Sequence, residues 1–422
     1  VFPHKVCVNL DRRPDRWGQM REKFARLGVR SVRRFAAVDG LALPAPPGWQ
    51  GTPGAYGCLL SHLCVIAEAR ERRLPSVLIF EDDVAFDPRL RENFRDYFAQ
   101  VPPDWEMLHF GVLHVEEPAE VAPNVRRIRR AFSTYAYALR ESVYDAFIEL
   151  NREATTPVDV NNHVLQAARA CYCFAPHLAW VEHDPSDVQG RQKDHWYLRE
   201  SLVIHGEGME RLLARTAVVM AYANPNNHEG ARRNLRFLAG SYRERLPGVS
   251  LVVVEQGARP TVAPGDLPEG CGYAFLRGEG PFDRGRCFNA GLALAGEARS
   301  LLIFSDADVF VEEWDVRGNL RVCERHDCAT GFGGLLELSE ADTRELLQRR
   351  GQLTPWFDAS NYPATEPADP FAAFCVFNRA AFEEAGGWRE LNAGAPTGLR
   401  LKDDRLLRVF HSPNQALCLR RG

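Results

Sequence analysis

A chain of 422 residues is more than one ordinary hydrophobic core organises, so two domains are expected. With 45% hydrophobic and 26% charged residues it has the composition of a folded enzyme, which excludes the disordered, collagen-like and membrane-spanning classes. A formal net charge of -4 supplies no global field for nucleic acid or an anionic membrane, and the densest basic cluster (Arg126, Arg127, Arg129, Arg130) reads as a solvated edge.

The first half opens with a strand at residues 6–10, the polar turn DRRPDR, and a helix whose Trp17, Met20, Phe24 and Leu27 recur at helical spacing. A Pro/Gly-rich loop at 43–57 leads into a second helix through SHLCVIAEARERR, which places Ser61 and His62 at its start. Then comes VLIFEDDV at 77–84. An apolar run without alternation predicts a strand buried on both faces, so Glu81, Asp82 and Asp83 fall at its carboxyl end, where open α/β sheets bind ligands. Carboxylates crowded together repel unless a cation lies between them, which makes a divalent metal the natural counter-charge. A helix at 89–100, strands at 107–111 and 134–139, and a helix at 142–151 follow. After the polar loop HDPSDVQG, the glycines of HGEG (205–208) mark a tight turn, and the boundary is set near 206–215, giving domains 1–210 and 211–422.

The second half restarts the pattern with a strand at 217–222, the turn ANPNNHEGARRN, a helix carrying Leu235 and Leu238, and a strand at 251–254 that ends in Glu255 and Gln256. A helix at 286–295 feeds LLIFSDADVF (301–310), a second buried run that ends in carboxylates, Asp306 and Asp308. A strand at 373–377 and a helix at 379–385 come next, and coil is expected to dominate the last thirty positions. Eleven cysteines scattered through apolar stretches suit reduced thiols. Neither Cys171 with Cys173 nor Cys323, His326 and Cys328 has the second Cys/His pair of a structural zinc site. With no run of ~18 apolar residues and no signal-peptide plan at the first positions, a soluble cytoplasmic protein is expected.

A metal at an acidic strand end can hold a diphosphate as it leaves, while a neighbouring carboxylate takes the proton of an attacking hydroxyl; that combination is glycosyl transfer from a sugar nucleotide. Nucleotidyl transfer and dinucleotide-dependent redox chemistry call for an early Gly-rich phosphate loop, and the first β-α turn contains no glycine. A noncatalytic carbohydrate- or nucleotide-binding protein is the alternative from another class.

In order, VNLDRRPDR (8–16), GAYGCLLSH (54–62), LIFEDDV, STYAYAL (133–139), PVD (157–159) and PSDVQG (185–190) resemble the lipopolysaccharide and collagen glycosyltransferases of glycosyltransferase family 25. The resemblance implies an α/β GT-A fold, a nucleotide-sugar donor, expected to be UDP-linked, Mn²⁺ or Mg²⁺, and inversion at the anomeric carbon. It implies Glu81 and Asp83 as metal ligands beside Asp82, with Asn9, Asp11, Arg12, Arg16, Ser61 and His62 on the donor and Asp159 as base. His205 resembles the metal-binding histidine of the HGxG turn in collagen glucosyltransferases, with His183 as its rival.

In the second half, VVMAYANPN, VVVEQG, FDRGRCFNAGLALA, SDADVF and FNRAAFEEAGGWRE resemble GT-A domains of families 2, 7 and 27. By that resemblance Asp306, Asp308 and His411 hold a second metal, and Tyr222, Glu255, Arg284 and Asn289 contact the donor. Those families follow Gly-Gly-Trp with Trp-Gly-Glu-Asp; this chain has GAPTGLRLKDDRLLR, so Asp403 and Asp404 become the candidate bases by position. The expected protein is therefore two tandem GT-A domains adding successive sugars to a glycan, lipid-linked or peptide acceptor, with one active domain and one binding domain as the alternative.

Overall fold

The computed structural model describes residues 1–181, 195–352, 362, 364–365, 371, 373–390 and 407–420. The chain divides into two compact units, Val1–Gly206 and Glu207–Gly422.

The first unit begins β1 (Lys5–Asn9), α1 (Pro14–Arg26), β2 (Val32–Ala36), α2 (Pro53–Glu71) and β3 (Ser76–Glu81). β1 pairs in parallel with both β2 and β3. Successive side chains of a strand point to opposite faces, and both faces of β3 are apolar. Val77 and Ile79 join Leu59, Val65 and Ile66 of α2 in one core, while Phe80 meets Phe24 of α1 at 5.3 Å between ring centroids. That double burial makes β3 the unalternating run it is. The strand Ala136–Arg140 then pairs antiparallel with β3, and Met107–His109, Cys171–Phe174, Val125–Arg127 and Ala119–Ala122 complete an eight-stranded sheet.

Two expectations change here. α2 starts at Pro53, because Thr52 accepts from the Ala55 amide at 3.0 Å and caps the helix. Ser61 and His62 are consequently fully buried in mid-helix, with no free N–H end for a phosphate. The basic cluster is solvated only in part: Arg129 and Arg130 are exposed, while Arg126 and Arg127 are half-buried. Arg126 reaches the Ala122 carbonyl at 2.8 Å, and Arg127 donates to the Arg169 carbonyl at 2.5 Å and lies over the Tyr172 ring.

α2 meets the 38–40 turn through two glycines. A Cβ on Gly57 would lie 2.4 Å from the Val38 oxygen, and one on Gly40 would lie 1.7 Å from the Pro53 oxygen. Gly57→Ala should therefore cost about 1–3 kcal/mol by overpacking and lower the melting point by several degrees, read by a thermal melt at fixed pH.

The second unit repeats the opening in its own residues. Thr216–Tyr222 pairs in parallel with Ser250–Gly257 and with Leu301–Asp306, Gly272–Arg277 extends the edge, and Phe374–Asn378 pairs antiparallel with Leu301–Asp306. Cys328–Ala329 and Val409–Phe410 complete seven strands. Trp388, placed by the positive-φ pair Gly386 and Gly387, is fully buried against Phe288, Phe304, Phe377 and Phe382. The final residues are not all coil. Gln415–Cys418 forms an inner strand of a second sheet with Val309–Phe310 and Gly334–Glu337, which Ala364–Thr365 extends. It was not legible because four residues are too few to show periodicity.

Both acidic strands end in the same way. The Glu81 amide donates to the Tyr135 carbonyl at 2.8 Å, and the Asp306 amide donates to the Ala373 carbonyl at 2.7 Å; each acceptor lies just before the antiparallel neighbour. A turn follows in each case, then a short strand, Val84–Phe86 or Val309–Phe310. Glu81 thus corresponds to Asp306 and Asp83 to Asp308. All eleven cysteines are free thiols. Among the described residues no helix is long and apolar enough to cross a membrane.

Candidate functional site

In the first unit the carboxyl ends of β1 and β3, the 37–40 turn and one face of α2 enclose a cleft lined by Asn9, Arg12, Arg16, Asp39, Ser61, His62, Glu81, Asp82 and Asp83, among others. A chain of hydrogen bonds runs along its floor. Arg34 donates through Nε to Asn9 Oδ1 and through Nη2 to Asp11 Oδ1, both at 2.7 Å. Asn9 Nδ2 donates to Asp82 Oδ2 at 2.7 Å, and Arg16 Nη1 reaches Asp82 Oδ1 at 3.1 Å and Asp83 Oδ2 at 3.8 Å. Arg12 pairs with Asp39 at 2.8 Å. Asp11 is thereby an exposed tether for Arg34, with most of its side chain in solvent.

Three adjacent carboxyls cannot all ionise freely in so closed a place. Burial raises the Asp82 carboxyl despite Asn9 and Arg16. It would raise Glu81 as well, but His62 and Thr134 hold Glu81 below its usual range. Burial and then the Glu81 charge push Asp83 up to about 7. Asp83 Oδ1 is buried without a hydrogen-bond partner among the described residues. An all-oxygen group carrying an excess of negative charge and one orphaned oxygen fits a hard divalent cation. Asp159 sits in the first turn of the helix Val158–Ala168, where burial and then the Glu81 charge raise its carboxyl. Its Oδ1 accepts from the Val160 amide at 3.0 Å, so Pro157 rather than Asp159 is the capping residue. His205 does not line this cleft; its neighbour Gly206 has φ +82 and packs against the backbone at Glu117.

In the second unit a cavity of about 340 Å³ is lined by Tyr222, Ala231, Phe282, Arg284, Asp306, Asp308 and Phe332, among others. Arg284 Nη1 lies 3.2 Å from Asp306 Oδ2, so an arginine faces the acidic strand end here as in the first unit. Two expected donor contacts do not line the cavity. Glu255 is buried and accepts from the Thr261 amide at 2.7 Å, the Val262 amide at 3.3 Å and the Tyr273 hydroxyl at 2.6 Å, so it fastens the 261–262 loop. Asn289 clamps the Gly-Gly-Trp turn, donating to the Trp388 carbonyl at 3.0 Å and accepting from the Trp388 amide at 3.2 Å. His411 is exposed and does not line the cavity, and it forms no three-ligand cluster with Asp306 and Asp308 among the described residues. Asp403, Asp404 and His183 lie outside the described residues.

Four residues went unread in the sequence: Arg34, Asp39, Cys58 and Thr134. Thr134 donates to Glu81 Oε1 at 2.8 Å across 53 positions of sequence, a distance no local pattern reports.

Residues 2–161, within the first unit, match the family model "Glycosyltransferase family 25 (LPS biosynthesis protein)". Procollagen galactosyltransferase 2 of Homo sapiens is 31% identical over 156 residues, 32% of this chain and 25% of that protein. The Homo sapiens protein named inactive glycosyltransferase 25 family member 3 is 31% identical over 163 residues, 33% of this chain and 27% of that one. The matched segment thus spans about a quarter of each relative's length. Among solved structures, Drosophila β1,4-galactosyltransferase 7 with manganese, UDP-Gal and xylobiose aligns over 46% of this chain and 64% of its own at 10% identity and a TM-score of 0.26, too low to bear on the reading. The family-model match ends before the second unit.

Proposed function

We propose that the chain is a bifunctional, metal-dependent glycosyltransferase of two GT-A units, each transferring a sugar from a nucleotide donor, expected to be a UDP-hexose, with inversion. The observation that carries this reading is the pair of equivalent acidic strand ends, each hydrogen-bonded in the same way to its antiparallel neighbour and each faced by an arginine. The family-25 match supports it for the first unit.

In this reading Asp83 in the first unit and Asp308 in the second hold a Mn²⁺ or Mg²⁺ ion, which when bound neutralises the charge of the departing diphosphate. Arg16 and Arg284 turn their guanidinium groups from carboxylate to donor phosphate, a geometry both anions share. Asn9 and Arg12 border the same donor. Asp159, raised by its surroundings, accepts the proton of the acceptor hydroxyl in the first unit. Asp403 and Asp404 stay the positional candidates for that step in the second. The acceptor is a glycan, lipid-linked glycan or peptide, and the two transfers are successive.

The test is hydrolysis of a panel of UDP- and GDP-sugars by the intact chain, with Mn²⁺ and after its removal by a chelator. Metal-dependent turnover of one or two donors supports the reading. No metal-dependent turnover of any donor, alone or with added glycan and peptide acceptors, would point instead to a binding protein.

A further inference from the structure

In the wall of the first unit's cleft, Cys58, His62 and Glu81 each bring a ligand atom to within 4.8 Å of the others. Cys58 and His62 are one turn apart on α2 and so share a face of the helix. Glu81 ends β3 opposite them. His62 is fully buried, its Nδ1 lies 2.9 Å from the Tyr137 hydroxyl, and its Nε2 has no hydrogen-bond partner among the described residues. A ligating histidine is arranged in this way, one ring nitrogen fixed by a hydrogen bond and the other left for the metal.

The spacing between His62 and Glu81 argues for a cation. His62 Nε2 lies 3.5 Å from Glu81 Oε1. A proton between imidazolium and carboxylate would draw them to about 2.7–2.9 Å. At 3.5 Å the two groups stand too far apart for such a bond, and a cation between them would be held by both the imidazole nitrogen and the carboxylate oxygen. Two zinc–ligand bonds of about 2.1 Å at a tetrahedral angle set the ligand atoms about 3.4 Å apart. The observed gap of 3.5 Å matches that of two donors to one tetrahedral ion.

We propose that Cys58 Sγ, His62 Nε2 and Glu81 Oε1 form a binding site for a borderline transition cation of the zinc class. The donor set of thiolate, imidazole and carboxylate separates it from the all-oxygen group at Asp82 and Asp83, which suits Mg²⁺ or Mn²⁺. Three coordinate bonds form, and the Cys58 thiol proton goes to solvent. The ion ties α2 to the end of β3 and fixes the carboxylate at the head of the acidic motif. None of this depends on the transferase reading, since the site stands on the three ligands alone.

The experiment uses the full chain, loaded with Zn²⁺, desalted and analysed for bound metal, then loaded with Co²⁺ for its spectrum. The expected result is one tightly held zinc per chain that Cys58→Ser or His62→Ala reduces to none, and a thiolate-to-cobalt charge-transfer band that Cys58→Ser abolishes. Alkylation of the unaltered protein, mapped by peptide mass, avoids reliance on the folding of either variant. Zinc should protect Cys58, and exposed Cys64 should react equally with and without it. Retention of no zinc, retention unchanged in Cys58→Ser, or alkylation of Cys58 indifferent to zinc would each overturn the proposal. Any of these leaves two separate hydrogen bonds in its place, Thr134 to Glu81 and His62 with Tyr137.

Discussion

Asp83→Ala is expected to remove one sugar transfer and Asp308→Ala the other, each by at least ~100-fold, the scale of losing one group that stabilises developing charge. Each change should leave the partner reaction within about twofold. The separation follows from the fold: each acid lies in the turn that ends a strand of its own sheet, and each acidic group has its own arginine, Arg16 facing Asp83 in one unit and Arg284 facing Asp306 in the other. Loss of activity should not be loss of structure. The Asp83 carboxyl, pushed to about 7 by burial and by the Glu81 charge, is a strained anion at neutral pH, so its removal relieves repulsion and should leave the metal-free melting point unchanged or raised. Product masses from the two variants, with circular dichroism as the fold check, decide it. Loss of both transfers from either substitution in folded protein would rule out independent sites.

The first unit is also expected to lose stability steeply below about pH 6.5. Burial pulls His109 and His114 down to about 3 and His177 to about 4, from an ordinary 6.5. These rings stay neutral in the fold while the unfolded chain takes up protons from about pH 6.5 downward, so the unfolded state binds more protons and stability falls with pH. Each group contributes roughly 1.4 kcal/mol per pH unit, about 2 kcal/mol at pH 5. Asp83 acts in the opposite sense: its folded value lies above its unfolded one, so its protonation in the fold offsets part of the loss between pH 7 and 4. His109 isolates the effect. Neither of its nitrogens has a hydrogen-bond partner among the described residues, and its ring stacks on Tyr137 with centroids 5.2 Å apart. His109→Phe should keep the stacking and flatten the stability-against-pH slope by about 1.4 kcal/mol per unit below pH 6.5, measured by urea unfolding at pH 7, 6 and 5. An unchanged slope would show that His109 is not held neutral.

Buried strands announce themselves. The runs before Glu81 and Asp306 needed only their unbroken apolar character to place the acids at the carboxyl ends of central strands, and both arrangements are found. Helices whose apolar residues recur at helical spacing were legible for the same reason. Where α2 begins was not. GAYGC reads as loop because of its glycines, yet Gly57 serves a close approach to the 38–40 turn inside a helix capped by Thr52. Glu255 and Asn289 show the opposite failure. Polar residues at strand and helix ends read as ligand contacts, and the fold spends them on its own loops.

By itself the sequence determined the two-unit α/β plan, the acidic strand ends, and the presence of Arg16 and Arg284, because periodicity and composition act over neighbouring residues. Only the tertiary structure decided which side chains meet. Asn9 finds Asp82, Arg34 finds Asn9 and Asp11, and Cys58 and His62 find Glu81 through strand register and helix docking, which join residues far apart in sequence. A shift of one residue in a strand's register would turn its own contributor, Asn9, Arg34 or Glu81, to the other face of the sheet.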